Sequence, residues 1–119
     1  MYADTDFFAA LFKKQDWLKA NAESILARYR NSIEASESTF VELMYLSKKF
    51  NLDPVELATD VMSLCSITNG TYLKAAIFVK RGVGVLDAFH AAHAGDGIIS
   101  SDSVFDEIGI NRVRLEGRA

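Results

Sequence analysis

Two short apolar segments, each stopped by an aspartate and each followed by helical periodicity, constrain this chain most. They are Met1-Tyr2-Ala3 before Asp4, and Gly97-Ile98-Ile99-Ser100-Ser101 before Asp102. Successive parallel strands need a long crossover, which a helix supplies, so strand-to-helix turns repeated along a chain predict an α/β fold. The intervening sequence fits. Phe7, Phe8, Leu11 and Phe12 fall at helical spacing, and Leu18, Ala22, Ile25 and Tyr29 form one apolar face behind Asp16, a candidate N-cap. Ser32 to Ser36 alternates like a short strand, and the segment through Phe40, Leu43, Met44 and Ser47 is helical. Asp53-Pro54-Val55-Glu56 is the sharpest boundary, with a capping Asp, Pro at the first helical position and Glu at the third. Leu64 to Ile67 reads as a brief strand, and Thr71 to Arg81 as a helix closed by Gly82. After Gly84, VLDAFHAAHAG reads as a compact helix, GIISS as a buried strand, SVFDEIG as a short helix and NRVRLE as a final strand. The expected architecture is a three-layer α/β/α sandwich around a mostly parallel sheet of four to five strands.

The 119 residues suit one domain, 1–119, and half of them are apolar and spread along the whole length. No apolar run approaches the roughly 20 residues that span a bilayer, and the opening MYADTDFF does not read as an export signal. Cys65 is alone, which excludes an intramolecular disulfide and a thiolate zinc site and suits a reducing, cytoplasmic compartment. The net charge of −3 disfavours nucleic acid at first sight. Assigning four carboxylates to a metal turns the remaining balance weakly positive. Basic pairs stand at Lys13-Lys14, Lys48-Lys49 and Lys80-Arg81, with Arg112 and Arg114 near the end, although cations also complement helix C-termini.

In an open parallel sheet, ligands bind beyond the C-terminal strand ends, where Asp4 and Asp102 fall. Glu42 and Asp87 lie in the early turns of helices that can point to the same edge. Converging carboxylates repel unless a cation neutralises them, and hard oxygen ligands favour Mg²⁺ or Mn²⁺. Such an ion serves phosphoryl chemistry by activating water and neutralising charge on the leaving oxygen. Each acid also has a purely structural reading: Asp4 and Asp102 as N-caps, Glu42 as the partner of Thr39 in a capping box, Asp87 as first-turn charge. His90 and His93, at i and i+3, read as packing or surface residues for want of a third soft ligand. Phe7, Phe8, Phe12 and Trp17 read as core rather than as a base-stacking platform.

YADTDFF, STFVELMYL, LDAFHAAHA and IISSDSVFDEIGINRVRLE together resemble the successive motifs of the PIN-domain nucleases, whereas 53–80 matches only in helical character. The resemblance implies a metal-dependent ribonuclease with Asp4, Glu42, Asp87 and Asp102 as its acids and Thr5 and Ser101 as hydroxyls beside the site. It departs at position 6, where Asp6 replaces a more usual Asn or Ser and becomes an accessory candidate, as does Asp106 one turn beyond Asp102. Small members are often VapC-type toxins, which implies an RNA substrate, a small antitoxin partner and a homodimer, with no membrane partner. An RNA-processing nuclease and a catalytically silent RNA- or protein-binding module are the alternatives. A phosphoacceptor receiver fits poorly, because Asp53 opens a helix at Pro54 instead of ending a buried strand.

Overall fold

The computed structural model describes residues 1–117. In chain order the elements are α1 (Thr5–Phe12), α2 (Lys19–Tyr29), α3 (Glu37–Lys49), α4 (Pro54–Leu64), α5 (Thr71–Lys80), α6 (Val85–His93), β1 (Ile98–Ser100), α7 (Val104–Glu107) and β2 (Arg112–Arg114). The helix boundaries follow local chemistry. The Asp53 carboxylate accepts from the amides of Val55 and Glu56 ahead of Pro54, as its sequence predicts. Gly82, at φ 97°, closes α5 where a residue with a side chain would be strained.

α3 begins differently from expectation. Ser36 is the N-cap and Thr39 the third helical residue; the Ser36 amide donates to the Thr39 hydroxyl, and the Thr39 amide to the Ser36 carbonyl. Glu42 therefore lies beyond the cap in the second turn, and the Thr39–Glu42 capping box is not formed. α2 also starts later than Asp16, at Lys19 after Leu18; the Asp16 carboxylate accepts from the Leu18 amide with one oxygen and pairs with Lys13 through the other.

The mixed α/β class and parallel pairing are present, but helices dominate. β1 and β2 pair in parallel with Ile98 opposite Arg112 and Ser100 opposite Arg114, and Tyr2 makes a separate parallel bridge to Glu34. Among the described residues this replaces the four to five strands expected, for two local reasons. The first strand is reduced to the bonds between Met1–Ala3 and Glu34, because Asp4 caps α1 directly after Ala3. The brief strand expected at 64–67 is a helix terminus: Ser66 adopts φ 56° and the Ile67 amide returns to the Met62 carbonyl.

One core holds the helices together. Phe8, Phe40, Leu43, Met44, Val61, Ala75, Ala76 and Ala88 are buried in it, and the Phe40 ring stacks on Tyr72 at 4.3 Å between centroids. The β1–α7–β2 unit is peripheral, and it meets this core through Ile108. Its own fastener is Arg112, whose guanidinium pairs with Asp106 and Glu116 and donates to the Ser100 carbonyl. Asp106 is thus committed to an ion pair. Ile99, expected to be buried, is 72% exposed, since β1 has only β2 beside it. The extents of 57 × 25 × 17 Å and radius of gyration of 16.4 Å accord with this peripheral unit, because a compact chain of this length has a radius of about 13.5 Å. No described helix is long and apolar enough to cross a membrane.

Candidate active site

The first turn of α1 and the second turn of α3 meet at Thr5. The Asp4 carboxylate accepts from the Thr5 amide at 2.7 Å, and the buried Thr5 hydroxyl donates to Glu42 Oε1 at 2.9 Å. One residue therefore holds two carboxylates that are 38 positions apart in the chain. Upstream, the Tyr2 hydroxyl bonds Ser36 at 2.7 Å, so the segment leading to Asp4 is tied to the start of the helix that carries Glu42. Each carboxylate uses one oxygen in these bonds, which leaves the second oxygen of each for a hard cation.

Both acids line a cavity of about 610 Å³, within the size range of small-ligand sites. Asp6 and Asp16 add carboxylates to its wall, Lys13 and Lys49 add ammoniums, and Trp17, Tyr45 and Phe50 add aromatic surface. Asp16 is held rather than free: the Leu18 amide, with help from Lys13, keeps its carboxyl below the usual aspartate range. Lys13 stands 3.2 Å from Asp16 and 4.1 Å from the centre of the Phe50 ring.

The other expected acids lie elsewhere. Asp87 is half-buried in the first turn of α6, with its Oδ2 close to Gly84. α6 runs antiparallel to α3, since Lys48 reaches the Val83 carbonyl at one end and His93 bonds Glu37 at the other. Asp87 is consequently level with the middle of α3, within a turn of the level of Glu42, but it does not line the cavity. Asp102 is exposed and accepts from the Val104 amide at 2.9 Å, the capping role that any Asp at a strand-to-helix turn can take. Ser101 is exposed beside it. His93 is a surface residue paired with Glu37, and His90 is exposed.

The donor set suits a hard divalent cation. Mg²⁺ keeps several waters and needs only one or two carboxylates plus substrate phosphate, so the Asp4–Glu42 pair is a chemically adequate platform. Among the described residues no three His, Cys, Asp or Glu side chains are gathered closely enough to form a complete protein cage.

Of the cavity's other two sides, the cationic one was legible as basic pairs around an acidic centre and the aromatic one was not. Lys13 and Lys49 do end α1 and α3, as expected of basic pairs, yet they also face the site. Trp17 was expected in the core with Phe7, Phe8 and Phe12, but it is 89% exposed, while Phe8 is buried. Its neighbours Gln15 and Asp16 were the available signal, since a polar loop keeps a side chain at the surface.

A protein-family model described as PIN domain matches residues 1–111. No curated protein and no solved structure matches the chain.

Proposed function

This chain belongs to the PIN-domain family, and from that membership we propose that it is a Mg²⁺- or Mn²⁺-dependent endoribonuclease. PIN domains are generally nucleases and typically use divalent metals. The observation that carries the reading within this chain is the Thr5 bridge, which orients Asp4 and Glu42 on one wall of a cavity that also presents Lys13 and Lys49. When bound, the metal supplies a Lewis acid that activates water and neutralises charge on the scissile phosphate. Asp4 and Glu42 hold it, and Thr5 fixes the Glu42 carboxylate so that its second oxygen stays directed. Lys13 and Lys49 draw the phosphate backbone to the cleft.

Asp87 and Asp102 complete the acid set in this proposal. Asp87 has the nearer position, level with the middle of α3. Asp102 follows β1, whose open edge and exposed apolar residues Ile99, Val113 and Leu115 suit further pairing. Extension of the sheet from the Tyr2–Glu34 bridge toward β1 would give the four- to five-stranded α/β/α sandwich and carry Asp102 toward Asp4. Asp6 is an accessory acid on the cavity wall.

We also propose a VapC-type toxin role in the cytoplasm, with a small antitoxin partner and a homodimeric assembly. The support is the resemblance in motif order, together with a lone Cys65 suited to a reducing compartment. Labelled RNA incubated with Mg²⁺ or Mn²⁺ tests the chemistry. Cleavage lost with EDTA and in Asp87→Asn and Glu42→Gln is expected, and cleavage that survives all three overturns the site. Growth arrest on expression supports the toxin role, whereas an active nuclease without arrest points to RNA processing.

A further inference from the structure

We infer that Trp17 is a stacking subsite for an unpaired nucleobase of the substrate, an inference that rests on the nuclease reading above. An indole 89% exposed leaves a large apolar surface in water, and covering a ring of that area is favourable. Its loop is nevertheless anchored. Asp16 accepts from the Leu18 amide at 2.9 Å, and Lys19 reaches the carbonyls of Leu11 and Lys13 at 2.9 and 2.7 Å. The backbone on both sides of Trp17 is thus held while the ring stands open on the wall of the carboxylate cavity.

The surroundings select the occupant. Phe50, on the same wall, carries Lys13 at 4.1 Å and Lys49 at 5.4 Å from its ring centre, so its faces attract cations of the chain itself. Among the described residues no ring or cation covers Trp17 in this way. A base has a π face for the indole, and its phosphate has the charge for the two lysines, so one nucleotide satisfies both features. A base on Trp17 leaves its phosphodiester backbone running over the cavity toward Asp4 and Glu42.

Trp17 is the chain's single tryptophan, so its fluorescence reports this contact directly. With Glu42→Gln in Mg²⁺ to slow cleavage, an eight-nucleotide single-stranded RNA should quench the emission. An abasic strand of equal length and a fully paired duplex should leave it nearly unchanged. In the wild type, Trp17→Ala should raise KM about tenfold with kcat little altered, and Trp17→Phe should restore most of the loss. Equal quenching by the abasic strand, an emission change on concentrating the protein alone, or an unchanged KM in Trp17→Ala would each overturn the subsite. The first two would mean that the backbone, or a second copy of the chain, reaches the ring. Base-dependent quenching in a protein that cleaves no RNA would uphold the subsite while the nuclease reading falls.

Discussion

The hydroxyl of Thr5 donates to Glu42 Oε1 at 2.9 Å, joining the first turn of α1 to the second turn of α3. The same residue's backbone amide engages Asp4, so both acids are oriented from one position, Glu42 by the threonine hydroxyl and Asp4 by a donor that any residue but proline supplies. Residues that orient ligands in this way strongly influence metal sites.

Thr5→Val keeps the volume and removes the hydroxyl donor. Metal-dependent RNA cleavage should fall about 10- to 100-fold, with Thr5→Ser restoring most of it. Steady-state kinetics alongside circular dichroism check this, since the buried isostere should leave the helical spectrum intact. Unchanged kinetics in Thr5→Val would remove the bridge from the mechanism.

Asp102 accepts from the Val104 amide, and asparagine keeps that acceptor. Asp102→Asn should therefore leave the melting temperature unchanged. As the fourth acid of the proposed site, its loss should lower cleavage on the order of 100-fold in the same variant. Asp102→Ala should lose the capping bond as well. Full activity in Asp102→Asn would reduce this residue to its capping role.

Phe40 is fully buried and stacked on Tyr72, at the junction of α3 and α5. Phe40→Ala should destabilise the fold by about 3–5 kcal/mol, because it removes a large core ring and leaves a cavity among packed helices. Chemical denaturation measures the loss, which should be much smaller in Phe40→Leu.

Asp53 is held below its ordinary pKa of 3.8, first by the Lys80 ammonium and then by the amide of Glu56. A depressed carboxyl contributes stability above its unfolded value and loses it as pH falls through the folded one. Asp53→Asn keeps the capping oxygen and removes the charge. Its melting temperature should lie below that of the wild type at neutral pH, and the gap should close as pH drops through 3.8 and lower. A gap that is constant across this range would exclude the Lys80 pair as its source.

Short-range signals in the sequence were sufficient for the helices. Asp53-Pro54 and Gly82 mark their ends through a side-chain acceptor, a fixed φ and a left-handed backbone, all of which act within a few residues. Local patterns became ambiguous where two of them overlapped. Ser36 and Thr39, and Thr39 and Glu42, are both spaced three apart, and the first pair is the one that caps α3. Thr39 is buried there, and the Tyr2 hydroxyl, from far earlier in the chain, bonds Ser36.

The family was legible because the segments YADTDFF, STFVELMYL, LDAFHAAHA and IISSDSVFDEIGINRVRLE follow one another along the chain, and the match over residues 1–111 agrees with that reading. The placement of those residues was a different matter. Phe8 and Trp17 have similar apolar bulk, yet the first is buried on a packed face of α1 and the second stands on an anchored loop beside the acids. Hydrophobic periodicity states which residues resist water, not which neighbour covers them. By itself, then, the sequence determined the helical segments, the α/β class and the candidate acids, because these depend on composition and spacing along the chain. Only the tertiary structure decided that Thr5 joins Asp4 to Glu42, that Lys13, Lys49 and Trp17 share their cavity, and that Asp106 is spent on Arg112, because each depends on contacts between separate elements.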